Sequence, residues 1–177
     1  MSGTDVPVPP GRRPRARREW LHFPDRVNEA SARLVATGVV ILGLLYLLTG
    51  SAWPVALLAY GFVARVAAGP TFSPLAQLVT RLITPRVAPG ARTVAGPPKR
   101  FAQGIGATLS VAAATAHALG HPAVAATLVA MIVGAASLEA GAGYCIGCRI
   151  YALLVRVGIA SPEACPDCAD ISRTRAA

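Results

Sequence analysis

Four cysteines carry most of the chemistry this sequence offers. All lie within 24 residues as two C-x-x-C pairs, Cys145–Cys148 and Cys165–Cys168, in the overall pattern C-x2-C-x16-C-x2-C. That spacing falls in the range of four-thiolate zinc sites, so all four are candidate zinc ligands. The same residues support thiol redox or persulfide chemistry. Arg149 follows Cys148 and favours a thiolate, and Gly147 between the two cysteines allows close backbone approach. If the preceding helix continues, Cys145 and Cys148 share one face. If Gly141 and Gly143 end it, the pair forms a turn, and the sulfurs again meet. The second pair reads C-P-x-C, and a helix starting at Ser161 and Pro162 would place Cys165 near its positive end. Glu163, Asp167 and Asp170 oppose a thiolate there. Inert buried thiols are the third reading.

Glu139 is the only acid between Glu29 and Glu163. A carboxylate in or near a bilayer is costly unless paired or hydrated. It is therefore a candidate for moving a thiol proton of Cys145 or Cys148, for joining a metal site, or for pairing with Arg65 or Arg100. His117 and His121, spaced i, i+4, bring two imidazoles together but have no evident third ligand, so they read first as interfacial. Trp53, Tyr144 and Tyr151 read as interface anchors.

The elements that position these groups are apolar helices. The chain has 177 residues, 54% of them hydrophobic and only 14% charged, against about 25% charged in soluble domains. No charge falls between Arg33 and Arg65, or between Arg100 and Glu139. Four runs emerge: 32–49, 55–68 (extending back to Ala52), 101–119 and 122–143. Each gives roughly 26–33 Å of helix, about one hydrocarbon thickness. Membrane-spanning backbone must satisfy its own hydrogen bonds, and no period of two suggests strands.

Orientation follows from Lys and Arg. Seven arginines precede or open the first run, six basic residues lie at the end of the second run or between it and the third, and four follow the fourth. The turns at Gly50–Pro54 and Gly120–Pro122 have none. The expected architecture is an all-α membrane protein: four transmembrane helices as two helical hairpins, N- and C-termini cytoplasmic, in the inner membrane. Cys145 and Cys148 then lie at a cytoplasmic helix end, where a permanent disulfide is disfavoured.

Residues 1–24 read as a disordered basic arm, 25–158 as the membrane domain with a cytoplasmic linker at 69–100, and 159–177 as a cytoplasmic cysteine-containing tail. A cleaved signal peptide is not expected. Within the linker, Ser73 to Ile83 predicts a short amphipathic helix capped by Ser73, with Pro74 at its first position and Leu75, Leu78, Val79 and Leu82 on one face. The net charge of +9 invites nucleic acid, but the basic residues fall in blocks without interleaved aromatics, so no nucleic-acid partner is expected. No Walker loop, dinucleotide fingerprint, Ser–His–Asp arrangement or paired catalytic carboxylates occurs.

Three segments, "FSPLAQL" (72–78), "PPKRFAQGIGATLS" (97–110) and "LEAGAGYCIGCRIY" (138–151), resemble in order and spacing the signature of a bacterial membrane-protein family, domain of unknown function 4395. The resemblance covers about residues 25–151 and leaves out Cys165 and Cys168. It places Phe101, Gly104, Gly106, Glu139, Cys145, Gly147, Cys148 and Tyr151 at motif positions. It implies sulfur or thiol traffic with a thioredoxin-like or rhodanese-like soluble partner.

Three functions compete. In the first, Cys145 and Cys148 exchange electrons or sulfane sulfur with a soluble partner, with Glu139 adjusting their protonation and Cys165 and Cys168 resolving or relaying. The second is a zinc-stapled membrane scaffold held by all four cysteines. The third is a small sulfur-species transporter subunit, needing a homodimer in which Gly38, Gly43, Gly104 and Gly106 allow close helix contact.

Overall fold

A computed structural model describes residues 26–69, 72–88 and 92–159. The arm at 1–24 and the cysteines of the tail, Cys165 and Cys168, lie outside the described residues.

The described chain is mostly helical. Helix α1 (Glu29–Thr49) opens three residues before the apolar run, because Asn28 caps it: Asn28 Oδ1 accepts from the Ser31 N–H at 3.1 Å. Helix α2 (Ala52–Ala68) returns after the turn at Gly50. Helix α5 (Gly96–Ala118) and helix α6 (Pro122–Ala142) form the second hairpin. Pro97 and Pro98 sit in the first turn of α5, where a missing N–H costs nothing, so this helix also starts earlier than its apolar run. The hairpins pack crosswise, α1 mainly against α6 and α2 against α5. Val39, Leu58, Phe62, Ala113, Val129 and Ile132 form the centre of their shared core.

The linker contains α3 (Pro74–Leu78), a π-helical stretch (Val79–Ile83) and α4 (Thr84–Val87) in one continuous rod. Ser73 caps it as the sequence predicts, its Oγ accepting from the Ala76 N–H, with Pro74 at the first position. The expected apolar face is divided. Leu75, Val79 and Ile83 pack on α1, while Leu78 and Leu82 point outward. The wider π turn places Ile83, not Leu82, beneath Val79.

One feature departs from an all-helical reading. Strands β1 (Arg26–Asn28) and β2 (Thr93–Ala95) pair antiparallel, with Val27 opposite Val94, and the Glu29 N–H donates to Arg92 O at 2.9 Å. This short ladder ties the start of α1 to the start of α5.

Helices α1 and α6 are long and apolar enough to cross a membrane, and α2 is a shorter apolar helix. Only 28% of the apolar window of α1 and 22% of that of α6 is buried within the chain. The core helix of a soluble protein would be mostly buried; here Ile41, Leu48, Val124 and Met131 face outward. Three of the four glycines considered for dimer contact are used inside the chain: Gly38 faces Leu75, Gly43 faces Val133 and Gly106 faces Phe62. Gly104 has nothing within 4 Å of a built Cβ.

Candidate functional site

The site forms where α6 stops. Gly143 adopts φ 66°, ψ 12°, a left-handed conformation suited to glycine, and its N–H closes on Glu139 O at 3.0 Å while the Tyr144 N–H reaches Leu138 O at 3.2 Å. Arg33 of α1 holds the same helix end, donating from Nε to Ala140 O (3.2 Å) and from Nη2 to Gly141 O (2.5 Å). A cation there also complements the negative end of the helix dipole.

The chain neither continues this helix nor leaves the cysteines in a plain turn. A new helix, α7 (Ile146–Arg156), starts at once, and Cys145 is its N-cap. Cys145 Sγ accepts from the Cys148 backbone N–H at 3.4 Å, the place usually taken by a serine or aspartate oxygen. Cys148 therefore sits in the first turn with its thiol beside that of Cys145. Both thiols are free and half-buried. Gly147 lets α7 lie directly on α5, since a Cβ there would come within 2.7 Å of the Ala102 Cα. Phe101 of α5 and Tyr151 of α7 pack 5.6 Å apart nearby.

Two charged side chains complete the arrangement. Lys99, in the first turn of α5, forms an ion pair with Glu139 in the last turn of α6. The two side chains are only 10% and 17% exposed. Of the alternatives the sequence leaves open for Glu139, the structure shows ion pairing, but with Lys99 instead of Arg65 or Arg100. Arg65 bonds Gln103 at 2.8 Å, and Arg100 donates to Val66 O. Glu139, Gln103, Cys145 and Gly147 share the lining of a pocket of about 120 Å³.

The electrostatics separate the two thiols. The Cys145 thiol is lowered to about 7, mainly because Cys148 donates its side-chain proton to it. Burial and Glu139 oppose this, while Lys99 and the Cys148 backbone N–H add to it. Cys148 is pushed far up, since its proton is held by Cys145 and its surroundings are buried. Burial alone would lower Lys99, but Glu139 and the two thiols outweigh it and raise the ammonium above its usual range. Arg149, adjacent in sequence, stacks its guanidinium 5.2 Å from the Tyr144 ring. The cation that acts on Cys145 is Lys99, which sequence reading counted only as a charge setting orientation.

A pH series of exchange with a small disulfide reads this asymmetry directly. At pH 7 a thiol titrating near 7 is about half thiolate, against ~1% for one near 9, while its lower basicity costs about eightfold in intrinsic rate. The expected net acceleration at pH 7 is only about sixfold. The clearer result is a rate midpoint near pH 7 that is lost in Cys145→Ser; a midpoint near 9 would contradict the asymmetry.

Among the described residues no group of three or more His, Cys, Asp and Glu is placed to hold a metal ion. The other two candidate zinc ligands, Cys165 and Cys168, lie outside the described residues. The histidines sit in different settings: His117 Nδ1 bonds the Tyr46 hydroxyl at 3.1 Å, whereas His121 precedes α6 at its N-cap position with no side-chain capping bond.

The family model for a domain of unknown function, DUF4395, matches residues 27–156. The chain belongs to this family. The match includes Lys99, Glu139, Cys145 and Cys148, and runs through to the end of α7. Cys165 and Cys168 fall beyond it. No curated protein and no solved structure matches this DUF4395 chain.

Proposed function

We propose that this DUF4395 chain is a four-span inner-membrane protein that presents a thiol pair at its cytoplasmic face, for redox exchange or sulfane-sulfur transfer with a soluble partner. The observation that carries the reading is the placement of Cys145 at the N-cap of α7, bonded to the Cys148 N–H and next to the buried Lys99–Glu139 pair. The topology is supported by the convergence of basic residues. Arg33, Arg65, Lys99 and Arg100 all lie where the starts of α1 and α5 meet the ends of α2 and α6. The opposite turns contain no Lys or Arg.

The chemistry follows from the unequal thiols. The Cys145 thiolate attacks a partner disulfide, forming a mixed disulfide as one partner sulfur leaves as thiolate. Cys148 gives its proton to a departing sulfur and attacks Cys145 Sγ, expelling the second. Two electrons pass to the partner, and the chain is left with a Cys145–Cys148 disulfide. In the sulfur-transfer version Cys145 attacks the outer sulfur of a partner persulfide, becomes a persulfide itself, and releases the partner's thiolate.

The first test is zinc content with thiol titration on protein purified anaerobically in detergent, followed by equilibration with glutathione couples. The expected result is no zinc and one reversible Cys145–Cys148 disulfide, abolished by Cys145→Ser and by Cys148→Ser. One zinc per chain, with thiols silent until a chelator is added, would overturn the reading in favour of a structural clamp.

A further inference from the structure

Beneath the Lys99–Glu139 pair lies a larger cavity of about 550 Å³, within the ~300–1,000 Å³ usual for small-molecule sites. It lies among α1, α2, the linker rod, the start of α5 and the end of α6. Its walls are mostly apolar, with Val35, Ala36 and Val39 of α1 along one side and Phe62 and Ala136 at the inner end. Among the described residues, its charged lining residues are Arg65, Lys99 and Glu139.

That charge count is unbalanced. Two described cations face one carboxylate: Glu139 pairs with Lys99 and attracts Arg65 without bonding it, and the hydrogen-bond partners of Arg65 are neutral. Its Nε donates to Gln103 Oε1 (2.8 Å), its Nη1 to Ser73 Oγ (3.4 Å), and its guanidinium lies 4.5 Å from the centre of the Phe62 ring. The residue is only 5% exposed, and no described side-chain nitrogen or oxygen is buried without a hydrogen-bond partner. A mostly buried cation in excess of the neighbouring carboxylate, beside a largely apolar volume, is costly, and one negative charge relieves it. A small inorganic anion would leave the apolar walls against water. An anionic head on an apolar body satisfies both the charge and the walls.

We propose that this cavity binds one amphipathic monoanion, its carboxylate, sulfonate or phosphate head at Arg65 beside Lys99 and its apolar body along α1. The site shares Glu139 and Gln103 with the thiol pocket but does not depend on thiol chemistry.

The test uses the full chain in a neutral alkyl-glycoside detergent, with calorimetric binding and thermal stabilisation as readouts. Hexanesulfonate and hexanoate are expected to bind at one per chain and raise the unfolding midpoint; hexanol, hexylammonium and sulfate are not. Arg65→Gln should weaken hexanesulfonate about tenfold, the scale of one lost charged hydrogen bond. Ala36→Phe should fill the volume and block binding, while Cys145→Ser/Cys148→Ser should leave it intact, separating this site from the thiol function. Native mass spectrometry then distinguishes the sources. An anionic membrane lipid arrives already bound at one per chain and is displaced by hexanesulfonate, whereas a soluble anion leaves the purified chain empty until added. Equal binding of hexanol and hexanesulfonate in the unaltered chain overturns the proposal, as does hexanesulfonate binding unchanged by both Arg65→Gln and Ala36→Phe.

Discussion

Lys99→Met is expected to destabilise the chain by about 2–4 kcal/mol, near the low end of what breaking a buried ion pair costs. The penalty comes less from the lost attraction than from leaving the Glu139 carboxylate half-enclosed without its cation. Glu139→Gln should cost a similar amount by stranding Lys99. The double variant Lys99→Met/Glu139→Leu should recover much of the loss, because it removes both desolvated charges. Recovery will be incomplete, since Glu139 also attracts Arg65. Denaturant unfolding of the purified chain measures all three. The thiol provides a readout that a purely structural pair would not move. Lys99 lowers Cys145 and Glu139 raises it, so Lys99→Met should shift the exchange midpoint from about 7 toward 9, and Glu139→Gln should shift it the other way. Single variants that stay within ~0.5 kcal/mol of the parent, the scale of an exposed pair, would show that the two charges act independently.

Gly147→Ala is the second large effect. The added methyl would sit 2.5 Å from the Ala102 Cβ and 2.7 Å from its Cα. The second of these is backbone of α5, so no side-chain rotation relieves the clash and α7 must pivot away. Overpacking of this kind costs about 1–3 kcal/mol. It should also lift Cys145 away from Lys99, raising the thiol midpoint and opening Arg149 and Arg156 to trypsin. Gly104→Ala is the matched control on α5. Nothing lies within 4 Å of its built Cβ, and Ala is the better helix former by about 0.5–1 kcal/mol. If Gly147→Ala behaves like Gly104→Ala, α7 is not docked as described.

The large elements were legible because long apolar helices need uninterrupted apolar sequence, and the turns at Gly50 and Gly120 interrupt it. Ser73 and Pro74 were legible for a local reason, since a cap and its helix are neighbours in sequence. What escaped was set by long-range contact. The partner of Glu139 lies 40 residues away in sequence, and nothing in the run of basic residues singles out Lys99. Strands of three residues are too short to show a period. The π stretch changes which leucines face inward without changing the sequence pattern that suggests a plain amphipathic helix. The cysteine pair itself was visible, but its backbone setting was not. Gly143 predicts a stop, and only the structure places the next helix start two residues later, on Cys145.

The crosswise packing of the hairpins also sets a timetable for synthesis. The main partner of α1 is α6, the helix that ends at Ala142. Roughly ninety residues must follow α1 off the ribosome before that partner is complete, about 5–20 s at ordinary elongation rates. Throughout that interval Arg33 has no carbonyls of α6 to bind, and once Lys99 is made it waits for Glu139. The nascent chain therefore carries Lys99 without its carboxylate partner until α6 is nearly made. The same late arrival of α6 brings the carboxylate and, a few residues later, the first thiol. Products cut short before residue 139 contain Arg33, Arg65, Lys99 and Arg100 but neither the carboxylate that pairs with Lys99 nor the thiols of the centre.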